Sequence, residues 1–168
     1  MPRPAASVDI APPRDQTDLE AVRALFAEYA ASLGFSLGYQ GFDAELAGLP
    51  GKYAAAEGGA LLLAKVGGRP AGAVGLRRLD DHICEMKRLY VRPANRGARA
   101  ANGRSIGRAL AEEIVGLARR QRYARLRLDT IGGKMQAAER LYRSMGFVDI
   151  APYYESPVPG TVYMELTL

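Results

Sequence analysis

Tryptophan is absent from this 168-residue chain, and histidine and cysteine occur once each. Each scarcity closes off a kind of chemistry. A lone cysteine, Cys84, forbids an intrachain disulfide, so nothing argues for an oxidising compartment and a reduced, cytoplasmic setting is expected. With no Cys/His cluster, no metal is expected. His82 follows a turn and reads as an exposed imidazole, and Cys84 as a small buried hydrophobe with no histidine placed to activate it. No stretch approaches the roughly 18 consecutive apolar residues of a membrane helix. Residues 1–7, rich in Pro and Ala, lack the apolar run of a signal peptide and read as a flexible tail. Carboxylates are scarce where arginines are dense: between Arg88 and Arg127, which hold eleven of the nineteen arginines, only Glu112 and Glu113 intervene. That imbalance, within a net charge of +5, favours an anionic partner. Nucleic acid is the rival partner, but no helix-turn-helix, zinc-finger or aromatic stacking motif accompanies the arginines, so it is not expected.

What is present suits one domain, expected over residues 8–168, with 48% hydrophobic residues to build its core. The chain is organised around Leu89-Tyr90-Val91-Arg92-Pro93 through Ile106-Gly107-Arg108-Ala109-Leu110, an apolar strand, a Gly- and Arg-rich loop and a helix. A helix start presents unpaired N–H groups and the positive end of its dipole, so phosphate can dock there. Gly97, Gly103 and Gly107 let backbone approach a ligand, and Arg96, Arg99, Arg104 and Arg108 add charge. The same pattern also serves as a tight turn with solvated arginines and no ligand. No Gly-Lys-Ser/Thr follows the glycines and no G-x-G-x-x-G occurs, which removes the P-loop and the dinucleotide fingerprint. Coenzyme A is a third option, and it needs a β-strand beside the cradle for its pantetheine arm.

In chain order, Val8-Asp9-Ile10 reads as a strand ending at Pro12-Pro13. Thr17-Asp18-Leu19-Glu20 has the form of a capping box, and Val22, Leu25, Phe26, Tyr29 and Leu33 share one helical face before Gly34. Residues 35–59 lose periodicity and are expected to form a mobile cover, with a short helix over residues 42–49. Residues 60–66, 70–77 and 82–91 form an antiparallel meander with turns at Gly67-Gly68 and Asp80-Asp81. In the third segment Cys84 and Met86 keep period two, yet the apolar phase resumes at Leu89 and Val91. A β-bulge near Lys87-Arg88 accounts for that odd shift. Ile106, Leu110, Ile114 and Leu117 mark a buried helical face, and residues 124–129 form a strand parallel to its predecessor. A helix over residues 134–145 and strands over 147–150 and 161–168 complete the chain.

Three blocks then carry a resemblance. Glu85-Met86-Lys87-Arg88-Leu89-Tyr90-Val91-Arg92-Pro93, Ser105-Ile106-Gly107-Arg108-Ala109-Leu110, and Ala138 through Leu141-Tyr142 to Gly146-Phe147 resemble, in order and spacing, the GNAT superfamily of acyl-CoA-dependent N-acetyltransferases. The likeness spans residues 60–168. It implies an α/β fold whose mixed, mostly antiparallel sheet splays between strands 4 and 5, with helices on both faces. It implies acetyl-CoA as co-substrate, with the backbone of Leu89, Tyr90 and Val91 along the pantetheine and an N–H aimed at the thioester oxygen. The family's cradle, Gln/Arg-x-x-Gly-x-Gly/Ala, is matched by Asn102-Gly103-Arg104-Ser105-Ile106-Gly107, so Asn102 replaces Gln or Arg and Ser105 replaces glycine. Arg96-Gly97-Ala98-Arg99-Ala100-Ala101 resembles a second start of the motif, which lengthens the loop. Either the extra residues bulge outward and the cradle survives, or coenzyme A binds weakly.

The resemblance also assigns roles. Moving an acetyl group from a thioester to an amine needs a neutral amine, oxyanion stabilisation and a proton for the departing thiolate. Tyr142 matches the family's proton donor; the alternative is one more core aromatic. Glu85 is the candidate base, its pKa raised by desolvation beside Cys84 and Met86; the alternative is a salt bridge to Lys87 or Arg88. Arg108, Ala138 and Arg143 join the coenzyme site, the arginines being otherwise merely solvated. Phe35, Tyr39, Phe42, Tyr53, Tyr153 and Tyr154 are the acceptor contacts, or else anchor loops to the core. The expected activity is acetyl-CoA-dependent N-acetylation of a small primary amine or amino-acid-like acceptor. A coenzyme-A-binding or regulatory module without turnover is the alternative, and a basic nucleic-acid-binding domain the third. A homodimer is left open.

Overall fold

Asp15 starts the first helix of the computed structural model, which describes residue 1 and residues 4–168. The Asp15 carboxylate accepts the Asp18 N–H at 2.8 Å and the Asp18 carboxylate accepts the Arg14 N–H at 3.0 Å, a reciprocal cap two residues ahead of the predicted Thr17 box. Part of the predicted tail, Pro2 and Arg3, lies outside the described residues. The elements run β1 (Val8–Ala11), α1 (Gln16–Ser32), α2 (Phe42–Ala47), β2 (Ala60–Val66), β3 (Arg69–Arg78), β4 (Ile83–Val91), α3 (Ile106–Arg120), β5 (Arg125–Ile131), α4 (Gln136–Ser144), β6 (Val148–Asp149) and β7 (Thr161–Thr167). Short 3₁₀ turns flank α2, so the segment between α1 and β2 is a chain of brief helices.

One seven-stranded sheet has the order β1-β2-β3-β4-β5-β7-β6. All its pairs are antiparallel except β4 with β5, the pair joined by the α3 crossover. Period-two alternation splits the apolar residues between two layers. Leu62, Ala64, Val74, Leu76, Cys84, Met86, Leu126, Leu128 and Met164 pack with Ile106, Leu110 and Ile114 of α3 and Tyr142 of α4. On the opposite face Leu61, Leu63, Ala73 and Tyr90 pack with Val22, Leu25 and Phe26 of α1 and with Phe42 and Tyr53. The predicted α/β class, the meander, the single parallel pair and the helices on both faces are all present.

Two features of β4 shape everything that follows. Strands β4 and β5 pair only at Ile83–Arg125, Cys84–Leu126 and Glu85–Arg127, and beyond Glu85 they diverge into an open wedge. On its other side β4 stays with β3, but Ala73 faces Tyr90 and Gly75 faces Lys87, leaving Arg88 and Leu89 opposite Val74. That is the bulge the phase shift predicted, and Arg88 occupies it with φ 63°. The left-handed residue is held by its side chain. Arg88 Nε and Nη2 donate to the Glu45 carboxylate of α2 at 3.1 and 3.3 Å, and the guanidinium lies 5.2 Å from the Phe42 ring centre.

Candidate active site

The wedge opens into a cavity of about 730 Å³ walled by β4, the start of α3, the end of β5, α4 and the chain after α1. One lip carries backbone. The Arg92 N–H donates to Ala71 of β3, so alternation turns the Val91 and Leu89 N–H groups the other way, towards the opening. Leu89, Tyr90 and Val91 all line the cavity.

At one end stands the N-terminus of α3. Ser105, the residue in place of the usual glycine, is its N-cap, and its hydroxyl accepts the Arg108 N–H at 3.3 Å. The Ile106 and Gly107 amides precede the first intrahelical bond, so they keep free N–H groups at the positive end of the dipole. A Cβ built on Gly107 would meet only Val91 Cγ2, at 3.8 Å, and its φ is not in the left-handed region. Neither packing nor conformation within the chain demands glycine there, and what glycine spares is room on the cavity wall for a ligand. Ser105, Ile106, Gly107 and Arg108 line the cavity, together with Arg96. Arg108 is also tied to Glu112 at 2.9 Å and to the Ser144 hydroxyl at 2.8 Å, which fixes its guanidinium between α3 and α4.

The long loop does turn outward, but what turns out includes Asn102, Gly103 and Arg104 of the expected cradle itself. Arg99 pairs with Ser105 in an isolated bridge, the Ala100 N–H donates to Arg104 at 2.8 Å, and the Asn102 side chain accepts the Arg104 N–H at 3.0 Å. Residues 99–105 are therefore a small hairpin with its tip in solvent. Asn102, Gly103 and Arg104, predicted as cradle residues, sit in that tip and do not line the cavity. Arg143 is corrected as well: it is bound to Glu139 at 2.8 Å and Asp149 at 3.0 Å on the outer side of α4, whereas Ala138 does line the cavity.

Tyr142 is 7% exposed and lines the cavity, its ring tilted against Phe147 with the centroids 5.7 Å apart. Among the described residues its hydroxyl has no protein hydrogen-bond partner, and burial pushes its pKa up, so it is a protonated donor facing the cavity.

Glu85 differs most from expectation. Its carboxylate is 0% exposed and does not line the cavity. Arg77 Nε donates to it at 2.8 Å, Tyr153 donates its hydroxyl at 2.5 Å, and Lys87 Nζ lies 3.6 Å away. Desolvation is the largest single influence and raises the pKa, but Lys87, Arg77 and the tyrosine hydroxyl together outweigh it and leave the pKa below the ordinary value. The predicted rise is reversed: Glu85 is a charge partner inside the protein. The carboxylate that does face the cavity is Asp129 of β5, which the sequence reading passed over. Its signal was there, since Leu126 and Leu128 turned towards α3 put Arg127 and Asp129 on the opposite face.

The aromatic predictions divide. Phe35 and Tyr39 line the cavity. Phe42 and Tyr53 do not; Phe42 lies under Arg88, and Tyr53 is core, donating to Glu45 at 2.9 Å. Tyr153 and Tyr154 stand one layer behind the cavity, where Tyr153 holds Glu85 and the Tyr154 hydroxyl donates to Asp129. Among the described residues no group of His, Cys, Asp and Glu is arranged to hold a metal ion, and no helix is long and apolar enough to cross a membrane. Of the eleven arginines from Arg88 to Arg127, seven (Arg88, Arg92, Arg104, Arg108, Arg120, Arg125 and Arg127) are engaged with carboxylates.

A mixed sheet that splays after one short parallel pairing, with a helix start at the mouth of the split and helices on both faces, defines the class of this α/β domain. The model of the acetyltransferase (GNAT) family matches residues 22–147, and the chain belongs to that family. An uncharacterized N-acetyltransferase of Schizosaccharomyces pombe is 36% identical over 152 residues, 90% of this chain and 89% of that protein. In fold, the chain is similar to an acetyltransferase from Streptococcus agalactiae, with a TM-score of 0.76 and 20% identity over 96% of this chain and 99% of the other. It is also similar to a putative acetyltransferase from Salmonella typhimurium solved with its cofactor acetyl-CoA, with a TM-score of 0.70 and 19% identity over 96% and 94% of the two chains.

Proposed function

We propose that this acetyltransferase uses acetyl-CoA and acetylates a small primary amine or amino-acid-like acceptor by direct transfer. The observation that carries the reading is the wedge itself, with free N–H groups of Leu89 and Val91 along one lip and free N–H groups of Ile106 and Gly107 at its end. The fold likeness to the Salmonella typhimurium structure with acetyl-CoA supports that choice of donor. Acetyl-CoA supplies the activated acetyl thioester. The chain supplies the rest. The α3 N-terminus and Arg108 hold phosphate, and the β4 lip holds the amide-rich arm. An N–H of that lip stabilises the oxyanion, and the Tyr142 hydroxyl gives its proton to the departing sulfur. Asp129, in place of Glu85, faces the acceptor amine and takes up its proton, directly or through a water.

Calorimetry with acetyl-CoA, followed by thiol release across a panel of amines, tests the reading. Binding with amine-dependent thiol release is the expected result. Binding without release from any amine would mark a coenzyme-A-binding module, and failure to bind at near-millimolar ligand would overturn the assignment of donor.

A further inference from the structure

The acceptor side of the wedge carries two opposite charges that are kept apart. Glu85 pairs with Arg127, the last rung joining β4 to β5. Two residues further along each strand, on the same face by period two, come Lys87 and Asp129. They stand on opposite lips just where the strands have separated, and both line the cavity. Among the described residues no ion pair joins them.

Lys87 is 6% exposed, and its Nζ has one good hydrogen bond, to Gln40 Oε1 at 3.0 Å. Glu85 lies 3.6 Å from it and is shared with Arg77 at 2.8 Å, so this group of two cations and one carboxylate carries one positive charge in excess. An ammonium has three donors, so Lys87 retains capacity towards the cavity. Two other cations of this face are matched by carboxylates, Arg88 by Glu45 and Arg127 by Glu165, while Lys134 lies over the Phe35 ring. Asp129 accepts from Tyr154 through one oxygen only. Gln40 links the two lips, accepting from Lys87 and placing its amide nitrogen 3.5 Å from the Tyr154 hydroxyl. The result is a neutral frame, Lys87–Gln40–Tyr154–Asp129, which holds a desolvated cation and an anion across an opening.

A ligand with the reverse arrangement of charge completes this frame. We propose that the acceptor is an amine that also bears a carboxylate, a free amino acid, with its carboxylate on Lys87 and its amine on Asp129. A simple amine or polyamine would bring its ammonium against that buried excess of positive charge at Lys87, where like charges repel strongly. The remaining donor capacity of one ammonium suits a carboxylate better than a phosphate, which needs several donors. This assignment rests on the acetyl-transfer reading above and narrows it to one acceptor class.

The test compares matched triplets: an L-amino acid, its carboxamide and its decarboxylated amine, for aliphatic, aromatic and acidic side chains, with acetyl-CoA held saturating. The free acid is expected to have a kcat/KM about 10- to 100-fold above its two partners, the scale of one charge-assisted hydrogen bond. In Lys87→Met that ratio should collapse, through KM of the acid. Thermal melts check that the variant is folded, and the wild-type panel decides the matter by itself if it is not. Decarboxylated amines or amides used as well as the acids would overturn the assignment, and so would an enzyme that binds acetyl-CoA yet accepts none of the acids. Failure to bind acetyl-CoA in parallel calorimetry would instead overturn the acetyl-transfer reading on which it stands.

Discussion

At the scale of single residues, Tyr142 and Glu85 show opposite relations between sequence and structure. The Tyr142 side chain lines the cavity and, among the described residues, its hydroxyl bonds no protein group, so Tyr142→Phe removes a proton donor and little else. Turnover is expected to fall about 10²-fold or more, with melting temperature and acetyl-CoA affinity nearly unchanged. Steady-state rates and melts on one variant check this, and an unaltered rate would end its candidacy as the acid. Glu85 predicts a pH signature. Its folded pKa lies below the ordinary 4.5, so its contribution to stability is complete above that value and is lost as pH falls through the depressed folded value. Glu85→Gln strands Arg77 and Lys87 without their counter-charge and should cost about 3 kcal/mol at neutral pH. Melting curves of both proteins from acid to neutral pH should converge in acid and separate above it. A gap that widens on acidification would mean a raised pKa, as a base acting at neutral pH would have. Neighbours in sequence suggested desolvation or, as the alternative, a salt bridge to Lys87 or Arg88, and Lys87 does lie 3.6 Å away; Arg77 comes from β3 and Tyr153 from the loop before β7, and no spacing in the chain announces that they converge.

At the scale of elements, periodicity carried most of the fold. The strands, the crossover and the bulge at Lys87-Arg88 follow from where apolar residues change phase. Helix starts were less legible, because Asp15 and Thr17 are both plausible caps and only the reciprocal bond with Asp18 selects the first. The lengthened loop illustrates the same limit: Asn102, Gly103 and Arg104 match a cradle motif by counting, yet the Arg99–Ser105 bridge lifts them out of the cavity. Gly107 is where element and function meet. Gly107→Ala gains about 0.5–1 kcal/mol of helix stability, since its Cβ would find only an ordinary contact with Val91. The same methyl enters the space spared for ligand, so Kd for acetyl-CoA should rise about tenfold or more while the melting temperature increases. Calorimetry and melts moving in these opposite directions would support the cradle; unchanged Kd would remove Gly107 from it.

For the molecule as a whole, the sheet's topology is the functional device. Three rungs of parallel pairing hold β4 to β5, and past Glu85 the side of β4 that faced β5 is left unpaired along the cavity. In the proposed reading, one face of the split takes the coenzyme against α3 and α4, and the other takes the acceptor against the helices between α1 and β2. The arginine-rich stretch that suggested an anionic partner is largely spent on internal carboxylates, so its density in sequence overstates the positive field at the surface. The central claim is that acetyl-CoA lies in this split. Amide hydrogen exchange resolved by residue, with and without saturating acetyl-CoA, tests it most directly. The account predicts new protection at Leu89, Val91, Ile106 and Gly107, with the hairpin tip at Asn102 and Gly103 unaffected. Protection confined to the hairpin, or none along β4 despite measured binding, would contradict it.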